Sequence, residues 1–118
     1  MSPLDYSLCD QTVTVYRRNG EGIARYVVEC CYFSRQTATS TEHYGKSRLK
    51  PFLLIIPGDA MPLQPGDRIF AGIGPEKVDW QAFVPAAVPE LYEVSFAKPC
   101  FWEGAVIHWE AGAERRLL

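Results

Sequence analysis

The run from Phe52 to Ile56 is apolar at every position. Leaving either face of such a strand in water costs roughly 1.5–3 kcal/mol per large side chain. The pattern therefore predicts a central strand that is buried on both faces. Pro57-Gly58-Asp59 ends this strand, and a second Pro-Gly-Asp turn leads into a further predicted strand from Asp67 to Ile73. Asp59 and Asp67 are assigned to these turns and not to a pair of catalytic carboxylates.

Polar and apolar residues alternate from Thr12 to Arg17, which predicts a half-buried strand with Val13 and Val15 on its apolar face. Asn19-Gly20 follows, and Asn-Gly between strands is the strongest short signal for a hairpin turn. The segment from Ala24 to Ser34 is rich in β-branched and aromatic residues and predicts the second strand of that hairpin.

The longest clearly polar segment runs from Arg35 to Lys50 and shows neither helical nor strand periodicity. It carries too few apolar groups to bury itself, so it is predicted to be a loop. A loop of this length is uncommon in a compact domain and is usually either functional or disordered. We expect it to contact something outside the domain, and a surface loop without a role remains the alternative.

The segment from Gly74 to Glu90 contains three prolines and allows at most one short helix, from Glu76 to Phe83. In that position Trp80, Phe83 and Val84 would cover an open face of the sheet.

The last part of the chain returns to strand patterns, first from Leu91 to Phe101 and then from Val106 to Glu110. Tyr92, Val94 and Phe96 share one side of the first of these strands. Pro99 marks a bulge or a sheet edge there. Period-2 patterns predominate, so the sequence predicts an all-β fold: one domain over residues 1–118, a barrel or sandwich of about six strands with a long polar loop over residues 35–50.

Composition and charge limit the partners. The 118 residues carry a net charge of −2, which gives no electrostatic reason to expect nucleic acid or an anionic membrane as a binding surface. No apolar run approaches the roughly 18 residues that a membrane helix needs. The N-terminus, MSPLDYSLCD, is acidic where a signal peptide is basic and then apolar. The chain is therefore expected to stay in the cytoplasm where it is made.

The four cysteines, Cys9, Cys30, Cys31 and Cys100, contain no Cys-x-x-Cys pair. Cys30 and Cys31 are adjacent in a predicted strand, so their side chains point to opposite faces and cannot both ligate one tetrahedral metal. They are interpreted as free thiols or small apolar residues. No metal or cofactor is predicted.

Catalytic motifs are not found: the chain has no GxSxG, Walker loop, HExxH or GxGxxG in a suitable context. His43 in the polar loop and His108 in the last strand are interpreted as ordinary residues, and the chain is predicted not to be an enzyme. One hypothesis of nucleophilic catalysis stays open. It combines Cys100 or Cys30 with His108 and with Glu103 or Glu110.

Taken in order, several short motifs resemble those of small proteins encoded in the head-to-tail connection module of tailed phages and prophages of Gram-positive bacteria. These motifs are Thr12 to Tyr16, Ile56-Pro57, Leu63 to Asp67 with Ile69 to Gly72, Tyr92 to Val94, and Ile107 to Gly112. More loosely, the layout resembles the head-closure (stopper) proteins of long-tailed phages, which are small β-barrels with a long loop between early strands. The chain departs from the pattern in its Pro- and Ala-rich segment, Gly74 to Glu90, and in the extension beyond Gly112.

The resemblance implies a non-enzymatic virion protein that forms a ring of its own copies between the portal and adaptor above and the tail below. Its location would be the host cytoplasm during assembly and then the head-to-tail interface of the virion. In stopper proteins the long loop lines or closes the channel, so DNA is met only as it passes. That loop maps here to Gln36 to Ser47, and the expected channel or partner residues are Gln36, Thr39, Glu42, His43, Tyr44, Lys46 and Arg48.

Two further expectations accompany this interpretation. A ring that must not assemble before its docking surface exists should have weak self-contacts. The candidates for these contacts are the charged residues Arg17, Arg18, Glu21, Glu114, Arg115 and Arg116.

The alternative function is a stand-alone bacterial β-barrel module for binding or regulation.

Overall fold

The computed structural model describes residues 6–35 and 50–113, which form seven β-strands. The strands are β1 (Gln11–Asn19), β2 (Gly22–Arg35), β3 (Phe52–Pro57), β4 (Arg68–Ala71), β5 (Leu91–Glu93), β6 (Phe96–Trp102) and β7 (Ala105–Ala113). Every strand pairing is antiparallel. Those two ranges contain no helix, and so none long and apolar enough to span a membrane. The all-β prediction is confirmed.

The strands follow the order β5-β4-β1-β2-β3-β7-β6 in a single sheet, so β5 and β6 are its two edges. These edge strands are nevertheless consecutive in the chain and are separated only by Val94 and Ser95. Val94 N–H bonds to the carbonyl of Asp67 on the β4 side, and Ser95 N–H bonds to the carbonyl of Gly112 in β7, each at 2.8 Å. Because neighbouring residues bond to opposite ends of the strand order, the sheet must curl into a half-barrel.

This curl explains why the strand predicted from Leu91 to Phe101 is two strands in the structure. Tyr92 and Val94 are buried in the core, as their shared side predicted, whereas Phe96 is only partly buried. Pro99 lies in the edge strand β6, where a missing N–H can face away from the sheet. The split raises the strand number from the expected six or so to seven.

The predicted central position of β3 is confirmed, since it pairs with β2 on one side and β7 on the other. Its burial nevertheless alternates along the strand. Phe52, Leu54 and Ile56 are buried, whereas Leu53 and Ile55 are partly exposed. The strand buried on both faces is β1, which was predicted to be half-buried. All four residues from Val13 to Tyr16 are buried there.

The inner core fills the concave side of the half-barrel. Three aromatic rings from separate strands, Phe33, Phe52 and Tyr92, pack in a triangle with centroids 5.1–5.7 Å apart. Val13, Val15 and the buried side of β3 belong to the same cluster. Burial of this apolar area is the main stabilising contribution to the fold.

The outer face of β1 is covered by the proline-rich segment that follows β4, and this cover is what buries both faces of β1. Turns replace the short helix that the sequence allowed over residues 76–83. Phe83 packs edge-on against Tyr16 at 4.7 Å, so the expected covering role of this segment is confirmed. Arg68 fixes the cover, because its guanidinium lies 3.8 Å from the Trp80 ring centroid and donates to the carbonyls of Trp80 and Phe83 at 2.6 Å.

Candidate functional site

The edge hairpin β6–β7 carries the most concentrated polar chemistry in the described residues. Cys100 pairs with His108 across the hairpin, and Lys98 pairs with Glu110. Directly opposed residues in an antiparallel pair share a face, as do residues two positions apart in a strand. These four side chains therefore lie on one face. It is turned away from the inner core, because Ala111, on the opposite face of β7, belongs to the core cluster.

Three of these side chains form a hydrogen-bonded cluster around one carboxylate oxygen. Cys100 Sγ donates to Glu110 Oε2 at 3.1 Å. His108 Nε2 lies 3.1 Å from the same oxygen. Because a carboxylate can only accept, Nε2 carries a proton in this arrangement, and in the neutral ring Nδ1 is then the acceptor.

Tyr6 completes the cluster from the N-terminal segment. Its hydroxyl lies 2.7 Å from His108 Nδ1 and donates to it, and its ring meets the imidazole edge-on at 5.7 Å. His108 is only 2% exposed although its face is turned away from the inner core. Tyr6 could not be selected from the sequence, because it lies 102 positions from His108 and belongs to no motif.

The cluster keeps its thiol protonated and its carboxylate charged. Burial raises the pKa of the Cys100 thiol, and its hydrogen bond to Glu110 raises that pKa further. Burial alone would also raise the pKa of Glu110, but the hydrogen bonds from Cys100 and His108 and the charge of Lys98 outweigh it and lower that pKa. A nucleophilic cysteine needs the opposite shift, towards thiolate.

The hypothesis of a nucleophile set is met only in part. Cys100, His108 and Glu110 come together, whereas Cys30 is exposed on β2 and Glu103 is exposed at the tip of the β6–β7 hairpin. In the assembled trio both polar contacts converge on Glu110, and the imidazole nitrogens are engaged by Glu110 and Tyr6. The imidazole is thus not arranged to accept the thiol proton.

Metal-ligand capacity is present in the same trio. The donor atoms of Cys100, His108 and Glu110 lie within 4.8 Å of one another, and residues 6–35 and 50–113 contain no other such group. The predicted separation of Cys30 and Cys31 is confirmed, because Cys30 is exposed and Cys31 is fully buried. A bulge at this point gives Cys30 a φ of +61°.

A second polar arrangement lies where the chain leaves β2 and enters β3. Arg35 Nε donates to Tyr92 Oη at 2.9 Å, and the guanidinium also forms an ion pair with Glu90. Lys50 Nζ donates to the carbonyl of Val88 at 3.3 Å and lies 5.5 Å from the Tyr92 ring centroid. Both ends of the polar segment are therefore held against the same tyrosine. Burial lowers the pKa of Lys50, and the charge of Glu90 partly opposes this.

The sequence-predicted channel residues lie outside the described residues. They are Gln36, Thr39, Glu42, His43, Tyr44, Lys46 and Arg48.

The candidates for weak self-contact differ in how exposed they are. Arg17 is largely covered and forms an ion pair within the domain with Asp67, so it is a poor candidate. Arg18 and Glu21 are exposed at the β1–β2 turn. Glu114, Arg115 and Arg116 lie outside the described residues.

Compared with known proteins, the chain matches no family model, no curated protein and no solved structure.

Proposed function

We propose that the chain is a non-enzymatic structural protein of a phage or prophage particle that joins the head to the tail in the manner of a head-closure protein. It would form a ring of its own copies between the portal and adaptor above and the tail below. The polar segment between β2 and β3 would face the channel or a neighbouring protein. DNA would be contacted only as it passes, and neither a cofactor nor a membrane is required.

The observation that carries this proposal is the common anchor of the polar segment. A ring subunit that presents a loop to a channel must hold both ends of that loop on a rigid base. Arg35 and Lys50, which flank residues 36–49, both contact Tyr92. Tyr92 is 7% exposed and packs on Phe33 and Phe52 in the inner core. The two residues that flank residues 36–49 are therefore tied through Tyr92 to the inner core.

The decisive experiment for the segment replaces Gln36 to Ser47 by a short Gly-Ser linker. The anchors at Arg35 and Lys50 remain, so the melting temperature should stay within a few degrees, while joining of heads to tails should stop. A matched control is Glu103→Asn, a change at an exposed turn with a φ of +52°, which Asn tolerates. Full head-to-tail joining with the linker variant would remove the role assigned to the segment.

Ring assembly is tested separately by sedimentation velocity on the purified chain, alone and with a portal and adaptor complex. Alone, it should be a monomer or a small oligomer at micromolar concentration. On the complex, neighbouring copies meet at high effective concentration, so contacts too weak to detect in solution can close the ring. A stable closed ring without the complex would contradict this order of assembly.

One observation favours the alternative, a stand-alone binding or regulatory module. Phe101 and Trp102, at the end of the edge strand β6, are 63% and 42% exposed. An edge strand has unpaired backbone groups and can accept a peptide as an added strand. Failure to sediment with any portal complex would favour this second function over the first.

A further inference from the structure

We propose that Cys100, His108 and Glu110 form a Zn²⁺ site on the outer face of the β6–β7 hairpin. A thiolate, an imidazole nitrogen and a carboxylate oxygen are the three ligand types that zinc takes in proteins, and water completes the tetrahedron. The site is independent of the head-to-tail role. It applies equally to a ring subunit and to a stand-alone module.

The backbone places the three donors before any ion arrives. Cys100 and His108 are directly opposed across the hairpin, and Glu110 follows His108 by two residues on the same face. A tetrahedral zinc with bonds of about 2.0–2.3 Å separates its donors by roughly 3.3–3.8 Å. The two donor contacts to Glu110 Oε2 are each 3.1 Å and must open by a few tenths of an ångström, while the donor atoms of Cys100 and His108, which lie within 4.8 Å of each other, must come to the same tetrahedral spacing.

Binding has a defined proton balance. The Cys100 thiol releases its proton to solvent, and its thiolate replaces the S–H donor that faced Glu110. His108 must offer the Nε2 lone pair, so its ring proton moves through solvent from Nε2 to Nδ1. Thiolate and carboxylate together then offset the double positive charge of the ion. Lys98 lies on the same face but is exposed, which lets its ammonium group remain in water.

Tyr6 is placed to support this change of tautomer. Zinc-bound histidines almost always donate their second ring N–H to an outer partner. Tyr6 Oη, 2.7 Å from Nδ1, can accept a hydrogen bond from the Nδ1–H group and can turn its own O–H to the carbonyl of Ile107, 3.4 Å away. The Nδ1–H group of His108 and the O–H group of Tyr6 therefore both have acceptors after the ion binds. Tyr6 is a positioning residue here and not a ligand.

The geometry also gives the ion an approach. The Glu110 side chain is 28% exposed and Cys100 is partly buried, whereas the His108 side chain is 3% exposed. The ion would reach the site from the solvent side of Glu110 and Cys100, and the imidazole of His108 would bind it from the buried side. When bound, zinc would link the edge strand β6 to β7 and retain the N-terminal segment through Tyr6.

The test uses the full chain, freed of metal by a chelator, under reducing conditions and titrated with Co²⁺. One equivalent should bind and produce a near-ultraviolet thiolate-to-cobalt charge-transfer band, which added Zn²⁺ then abolishes. Cys100→Ser should eliminate this band, and the matched control Cys30→Ser, at an exposed cysteine, should retain it. Tyr6→Phe should keep the band with an affinity roughly 10–100-fold weaker, since it removes only the outer partner.

Three results would overturn the proposal: no stoichiometric binding by the full chain, a band that persists in Cys100→Ser, or a band lost equally in Cys30→Ser. Circular dichroism checks that the variants fold. If Cys100→Ser does not fold, Glu110→Gln decides, because it keeps an oxygen acceptor for the thiol but removes the charged ligand. Unchanged Co²⁺ affinity in Glu110→Gln would contradict the site.

Discussion

The guanidinium of Arg17 on β1 binds the buried carboxylate of Asp67 through two hydrogen bonds, Nε to Oδ1 at 2.8 Å and a second guanidinium nitrogen to Oδ2 at 2.7 Å. Asp67 is 1% exposed and also accepts from the backbone N–H of Gln64 at 3.0 Å. Arg17 further donates to the carbonyl of Pro62. This pair ties β1 to the turn that starts β4, and its bond to Asp67 raises the pKa of Arg17.

The first prediction concerns this pair. Asp67→Asn should lower the free energy of unfolding by about 2–3 kcal/mol, because it removes the negative charge of a largely buried ion pair and replaces one of two accepting oxygens by an NH2 group that faces other donors. Asp59→Asn is the matched control, since Asp59 also follows Pro-Gly but is exposed and accepts a single bond from Trp109 Nε1 at 2.8 Å. An asparagine oxygen can still accept that bond, so the control should cost well under 1 kcal/mol. Urea denaturation measures the free energy of unfolding of both variants. Equal losses would show that the ion pair between Arg17 and Asp67 adds no more stability than the exposed contact of Asp59.

The second prediction compares two leucines that are adjacent in β3. Leu54 is fully buried in the inner core, while Leu53 is partly exposed on the other face. Leu54→Ala should cost about 2–5 kcal/mol from lost burial and the cavity that remains. Leu53→Ala should cost clearly less. Thermal melts of the two variants decide, and comparable losses would mean that β3 is buried equally on both faces, as the sequence alone predicted.

The third prediction is a coupling between Gly74 and Tyr16. A Cβ added at Gly74 would lie closer to Tyr16 Oη than real contacts allow. Tyr16 is fully buried, and that hydroxyl donates to the carbonyl of Pro75 at 2.6 Å. Gly74→Ala should therefore destabilise the protein, and Tyr16→Phe, which removes the obstructing oxygen, should reduce that cost.

A double-mutant cycle measures this coupling by denaturation of the two single variants and the combined one. The expected interaction energy is about 1 kcal/mol or more, in the direction of rescue. Gly104→Ala is unsuitable as a control, because Gly104 has a φ of +82° and any side chain there is strained. Gly22→Ala is suitable, since its nearest neighbour would be 3.7 Å away. Additive losses at Gly74 and Tyr16 would contradict the close approach.

The sequence predicted the elements of the fold better than their burial. Local signals identified four of the strands. Alternation predicted β1, the Asn19-Gly20 turn and the β-branched residues after it predicted β2, the continuous apolar run predicted β3, and the strand pattern from Val106 to Glu110 predicted β7. The burial of Thr14 and Tyr16 could not be predicted that way, since it depends on a cover supplied by residues about 60 positions further on. Local pattern gave only the polar character of that side of β1.

The candidate site shows the same limit. The sequence showed that Cys100, His108 and Glu110 could be partners. Their register across the hairpin and the contact with Tyr6, however, depend on the tertiary structure. The sequence prediction of no metal site rested on the lack of a Cys-x-x-Cys spacing and on the opposite faces of Cys30 and Cys31, and it stays a prediction. The ligand set proposed across the β6–β7 hairpin would have no such spacing, because strand pairing brings its members together.

The last prediction uses the pH dependence of Cys31, which is fully buried on β2. Burial raises the pKa of this thiol from 9.0 to about 11, and the nearby Cys9 thiol adds to the shift. Above pH 9 the unfolded chain loses this proton while the folded chain keeps it, so the stability that the thiol contributes is complete below pH 9 and is lost as pH rises to about 11. Two pH units correspond to roughly 2–3 kcal/mol.

Compared with Cys31→Ala, the wild-type protein should lose that much additional stability across this window. Cys30→Ala, at the exposed neighbour, should follow the wild-type curve. Urea denaturation under reducing conditions at several pH values gives the three curves, and parallel curves for wild type and Cys31→Ala would show that the buried thiol titrates as it does in the unfolded chain.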